Sequence, residues 1–125
     1  MEDKMQKIKK PWGYEIWFAV TDKYVGKYLF VEKGSRLSYQ YHEVKDETLL
    51  VIRGQGIIVL DKTVIPFNEG DVQHIAPTVK HRIEATNSDM GIIEVSTPEV
   101  DDVVRLEDDY GREETKAERD TGSSK

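Results

Sequence analysis

From residue 14 to residue 96 the chain alternates short apolar runs with turn-forming clusters. Tyr14, Ile16, Trp17, Phe18 and Val20 make the first run, which stops at Thr21-Asp22-Lys23. Further runs cover residues 24–32, 36–42, 47–53, 56–61, 63–66, 72–76, 81–86 and 90–96. Lys33-Gly34, Gly54-Gln55-Gly56 and Asn68-Glu69-Gly70-Asp71 punctuate them. Short strands at this spacing predict an all-β sandwich or barrel. No helical period is sustained before residue 99.

Two of these runs do not alternate. Leu49-Leu50-Val51-Ile52 and Ile57-Ile58-Val59-Leu60 are apolar at every position. A strand that is wet on one face alternates apolar with polar, so both faces of these two need cover. A second sheet or a packed N-terminal strand could give it. A second copy of the chain is the sharper expectation, and a homodimer is predicted.

The ends differ from the middle. Residues 98–112 hold Asp101, Asp102, Glu107, Asp108 and Asp109. Residues 113–125 are polar and almost without apolar side chains, a composition that predicts a disordered tail. The expectation is one domain over 1–112 and a tail over 113–125. At 125 residues the chain is long enough for one real core.

Charge narrows the partners. A net charge of -6 and a pI near 5.1 argue against nucleic acid. There is no cysteine, which removes disulfides and thiolate metal sites. The first ten residues are charged and lack the apolar run of a signal peptide, and no stretch is apolar enough for a bilayer. The expectation is a cytoplasmic protein with no membrane partner.

Strand parity then picks out a polar constellation. Gln40 and His42 are two apart and point to one face of a strand. Arg36 and Ser38 share that parity. Barrel interiors normally take aliphatic side chains, and a buried face of Arg36, Ser38, Gln40 and His42 is costly unless it binds something. Glu47 shares its face with Leu49 and Val51, above an apolar floor. From neighbouring strands Glu47 and His81 can reach the point that Gln40 and His42 address. Two imidazoles, a carboxylate and an amide oxygen suit one divalent cation. Zinc is the first expectation, with manganese, cobalt, nickel or iron as alternatives. His74 is read as a packed or surface residue.

The pattern is ordered. Gly34, Gln40-Tyr41-His42, Glu47 and Gly54 make one segment, and Gly70, Pro77 and His81 make a second. These resemble the two motifs of the cupin superfamily, with Gln40 in place of the first histidine and Thr78 where glycine is usual. Gln-x-His is similar to the metal motif of phosphomannose isomerases. Lys10-Pro11-Trp12-Gly13 resembles the Arg-Pro-Trp-Gly opening of the type II phosphomannose isomerase cupin. Arg36-Leu37-Ser38-Tyr39-Gln40-Tyr41-His42 and Arg105-Leu106-Glu107-Asp108-Asp109-Tyr110-Gly111-Arg112 resemble two more of its signatures. The chain departs from that family at Glu43, Val44 and Thr48, where histidines are common. In many bacteria this cupin follows a nucleotidyltransferase domain, for which the sequence has no room, so a stand-alone cupin is expected.

The resemblance implies a double-stranded β-helix, or jelly-roll, barrel. It also implies aldose–ketose isomerisation of a phosphorylated sugar, mannose 6-phosphate to fructose 6-phosphate or a close relative. Gln40, His42, Glu47 and His81 would hold the metal. Arg36 and Ser38 would touch substrate, with Lys45, Arg105 or Arg112 on the phosphate. Lys45 stands two before Glu47, a spacing that phosphomannose isomerases of the other type share, and as a catalytic residue it would stabilise an enediolate or hold the phosphate; a solvated turn lysine is the plain alternative. Glu43 and a metal-bound hydroxide are both candidates for the general base. The competing reading is a cupin that binds metal and sugar without turnover, as a sensor or accessory module. A metal-dependent oxygenase is disfavoured by Gln40, since an amide is a poor ligand for tuning iron.

Overall fold

The computed structural model describes residues 5–112, which form eleven β-strands in two antiparallel sheets. The tail expected at 113–125 lies outside the described residues. The strands are β1 (Gln6–Lys10), β2 (Gly13–Val20), β3 (Val25–Val31), β4 (Tyr39–Tyr41), β5 (Glu47–Arg53) and β6 (Gln55–Leu60). They continue as β7 (Thr63–Asn68), β8 (Val72–Ile75), β9 (His81–Ala85), β10 (Met90–Ser96) and β11 (Val104–Glu107). One sheet has the order β1-β2-β3-β10-β5-β8 and the other β11-β4-β9-β6-β7. Two such sheets facing each other make a jelly-roll barrel, the fold that the sequence resemblance implied. Among the described residues no helix is long and apolar enough to cross a membrane.

The turns follow from local chemistry. Gly54 joins β5 to β6 at φ +92°, and a Cβ there would lie 2.0 Å from the Asp89 carbonyl oxygen. Only glycine fits such a position. Pro66 sits in β7, an edge strand, where a missing N–H is tolerated.

The inner faces of four strands change character along their length. β10 runs Met90, Ile92, Glu94, Ser96 on its buried positions, and β3 runs Val31, Leu29, Lys27. β5 runs Val51, Leu49, Glu47, and β9 runs Ala85, Ile83, His81. Register puts like beside like: Leu29 pairs with Ile92 and Ile92 with Val51, while Lys27 pairs with Glu94. One end of the barrel is therefore an apolar plug, and the other a polar cavity. The plug includes Trp12, Leu29, Val31, Val51, Ile58, Phe67, Met90 and Ile92. Each large aliphatic or aromatic side chain there contributes roughly 1.5–3 kcal/mol by leaving water.

Three expectations are corrected. β1 and β11 were not foreseen. Their sequences are charged, and both are edge strands, which need only one paired side. The strand expected over 36–42 is regular only at Tyr39–Tyr41. Leu37 and Ser38 are consecutive, yet both line the cavity. Alternation thus slips by one residue, and Arg36 leaves the face it was expected to share with Ser38.

Candidate metal centre and polar cavity

The polar end of the barrel encloses a cavity of about 510 Å³. His42 follows β4, Glu47 opens β5 and His81 opens β9. The pairing of Gln40 with His81 brings β4 and β9 together at this level. One ligating atom from each of His42, Glu47 and His81 lies within 4.8 Å of the others, and all three residues are buried.

Both imidazoles are oriented from behind. His42 Nδ1 donates to the Asp102 carbonyl, and His81 Nδ1 donates to the Val79 carbonyl at 2.9 Å. That leaves each Nε2 as the lone-pair nitrogen aimed into the cavity. His42 Nε2 is buried and meets no hydrogen-bond partner, while Glu47 Oε2 stands 3.8 Å from it and 3.4 Å from His81 Nε2. A buried lone pair without a donor is costly, and a cation resolves it. The donor set fits a divalent ion. Gln40 lines the same cavity, and its Oε1 accepts a hydrogen bond from Ser38 Oγ.

The electrostatics agree with metal-ready ligands. Burial pushes the His42 imidazole down to about 4, so it is neutral at pH 7. Glu47 is depressed below the usual carboxylate range: burial opposes this, but the adjacent His81 ring and the Lys45 charge override it. Lys45 is buried between two carboxylates, 3.1 Å from Glu47 Oε1 and 2.8 Å from Glu94 Oε2. Burial lowers its pKa, yet Glu94 and Glu47 outweigh burial and raise it. Glu94 is raised, by its burial first and by the nearby Glu47 second.

The loop between β4 and β5 is held from the acidic segment. The backbone N–H groups of Glu43, Val44 and Lys45 donate to the Asp102 carboxylate at 3.1, 2.7 and 2.9 Å. The same residue's carbonyl orients His42. Residues 98–112, read in sequence as an acidic stretch that carries a family signature, thus brace the loop that bears His42 and Lys45.

The cavity brings together Ser38, Gln40, His42, Lys45, Glu47, His81, Arg105 and Arg112. It does not include Arg36 or Glu43. Arg36 turns outward and makes a two-pronged bond to Asp109, at 2.7 and 2.8 Å. Glu43 is exposed on the loop, so it is withdrawn as general base. His74 is exposed and paired with Asp46 at 2.6 Å. Lys10, Glu15, Lys27 and Glu94 line the cavity and were missed. Lys27 and Glu94 had a signal: each is a lone charge at an inward position of an otherwise apolar strand. Glu15 had the same signal, as the one charge in the apolar run that became β2, and Lys10 had only its place in the Lys10-Pro11-Trp12-Gly13 resemblance, because β1 was not read as a strand.

The model of the family "Mannose-6-phosphate isomerase C-terminal" matches residues 1–108. A mannose-1-phosphate guanylyltransferase of Escherichia coli K12 is 31% identical over 111 residues, which is 86% of this chain and 23% of that protein. The chain spans about a quarter of the length of the curated relatives it matches. KdgF from Halomonas sp. superposes with a TM-score of 0.70 at 19% identity, over 79% of this chain and 89% of that one. A cupin 2 conserved barrel domain protein from Rhodopseudomonas palustris gives 0.67 at 16% identity, over 76% and 72%. At such identities the two structures speak for the fold alone. With the barrel and the family match in agreement, the chain belongs to the mannose-6-phosphate isomerase C-terminal family of cupins.

Proposed function

We propose that this chain is a metal-dependent aldose–ketose isomerase of a phosphorylated sugar, with mannose 6-phosphate to fructose 6-phosphate as the first reaction to test. The observation that carries this reading is the convergence of His42 Nε2, His81 Nε2 and Glu47 beside the buried Lys45–Glu94 pair. His42, Glu47 and His81, with Gln40 beside them, would hold one divalent ion, zinc first among the candidates. When bound, that ion would polarise sugar oxygens and lower the cost of negative charge on them.

The protein's own groups would do the rest. The reaction moves a proton between C1 and C2. Glu94 is the group suited to accept and return it, because it lines the cavity as a buried carboxylate 2.8 Å from the Lys45 ammonium. Lys45 keeps its charge beside Glu94 and favours the carboxylate form. Ser38 holds Gln40 in position. The polar cavity is closed below by the apolar plug, which keeps bulk water from the reacting carbons.

Family membership supports a sugar-phosphate substrate, and the outer face of the six-stranded sheet supports a homodimer. Metal-loaded protein in deuterated water should exchange the C2 proton of mannose 6-phosphate and form ketose. Glu94→Gln should lower that rate at least about a hundredfold. Sugar binding with no exchange for any hexose or pentose phosphate would refute the isomerase and leave a non-catalytic binding module in its place.

A further inference from the structure

The edge strands β1 and β11, one from each sheet, both contribute side chains to the cavity. On β1, Ile8 and Lys10 turn inward while Lys7 and Lys9 are exposed. On β11, Arg105 pairs with Gln40, and Gln40 pairs with His81. These three form one transverse row. Neighbouring strands stand about 4.8 Å apart, so Arg105 is one strand from Gln40 and two from His81. Arg112, anchored by Asp108 at 2.7 Å, lines the same wall.

Positive charge is crowded here. Burial lowers the pKa of the Lys10 ammonium; Glu15 pulls it back up, and Arg105, Lys27 and Arg112 push it further down. The nearby carboxylates are engaged. Asp108 holds Arg112, and Glu15 accepts from the Trp17 indole at 2.8 Å and faces Lys27 at 3.7 Å. Lys45 lies between Glu47 and Glu94, so its charge is already matched. A divalent ion at His42, Glu47 and His81 would add two more positive charges to this cavity. Crowded cations in a low-dielectric wall are relieved by an anion.

We propose that Lys10, with Arg105 and Arg112, forms an anion subsite that takes the phosphate monoester of a sugar whose oxygens face His42, Glu47 and His81. This rests on the reading of that triad as the metal end of the cavity. It assigns to Lys10 the distinction between a phosphorylated sugar and a neutral one, a role that Lys45 cannot fill from between its two carboxylates. The lysine's length suits a point charge that follows a phosphate, and the arginines add directed donors.

Calorimetric titration of metal-loaded protein with inorganic phosphate, mannose 6-phosphate and mannose tests it. Wild type should bind mannose 6-phosphate more tightly than mannose. Lys10→Met should weaken inorganic phosphate and mannose 6-phosphate by about tenfold or more with metal content unchanged, and Lys10→Arg should retain most of the affinity. Equal phosphate affinity in Lys10→Met and wild type overturns the proposal, as does a wild type with no preference for the phosphorylated sugar. Amide shifts give a reading that needs no variant. Inorganic phosphate should move the signals of Lys10, Gly13 and Arg105, and shifts confined to other residues overturn the subsite. The isomerase reading fails separately: absent C2 exchange with Lys10-dependent phosphate binding removes the reaction and keeps the subsite.

Discussion

His42 shows how one side chain can be both a candidate ligand and a liability. Its Nδ1 is tied to the Asp102 carbonyl, and its Nε2 has no partner in the protein. His42→Ala and His81→Ala should each abolish binding of one divalent ion per chain while leaving far-UV circular dichroism unchanged. Retention of one metal per chain in both variants would overturn the ligand assignment. The depressed imidazole also sets a pH window. In the unfolded chain it takes a proton near pH 6.5, whereas in the native chain it resists until about pH 4. The unfolded state holds more protons between those values, so native stability is full above the upper one and falls as pH drops through the window. Metal-free protein should lose on the order of 3 kcal/mol across it. Urea midpoints at three pH values in that interval check this, and a flat series would refute it. The convergence of His42, Glu47 and His81 was legible in sequence because spacing and strand parity fix where such side chains point. Arg36 was not, since the consecutive inward turn of Leu37 and Ser38 is a backbone irregularity that no residue type announces.

Loops between strands do the positioning. Asp102 accepts three backbone N–H bonds from Glu43, Val44 and Lys45, and so fixes the segment that delivers His42 and Glu47. Asp102→Ala should weaken metal binding by about 10- to 100-fold, measured by chelator competition, because partners behind the ligands hold them in place. Unchanged affinity would mean that the loop is rigid without it. Thr78 lies at φ +74°, where a β-branched residue is strained, and its N–H donates to the His42 carbonyl at 2.6 Å. Thr78→Gly should raise stability by about 0.5–1 kcal/mol, relief of the left-handed strain exceeding glycine's entropy cost. A lower thermal midpoint would count against that account. β5 and β10 were readable to the residue as apolar runs. β1 and β11 were not, since Gln6-Lys7-Ile8-Lys9-Lys10 and Val104-Arg105-Leu106-Glu107 carry the charge that edge strands tolerate.

On the outside of the six-stranded sheet, Ile16, Tyr28, Ile93, Leu50 and Val72 form one continuous row across β2, β3, β10, β5 and β8. Phe18 is 47% exposed, Ile52 44% and Val95 50% beside it. An apolar face of that extent is of the kind that partners cover. Light scattering at micromolar concentration should give twice the 14.4 kDa chain mass. Val95→Asp should halve it without loss of metal, and a monomeric wild type would sink the homodimer. The change from apolar to polar along the inner faces of β3, β5, β9 and β10 also governs how such a chain can vary over generations. Val51 and Glu47 lie four residues apart on one strand, roughly 13 Å. Substitutions at that separation act nearly independently. Replacements near Glu47, Glu94 and Lys27 are filtered by ligands, and those near Val51, Met90 and Val31 by folding. A lineage can therefore exchange one chemistry for another at the mouth of the barrel while inheriting, unaltered, the plug that makes it fold.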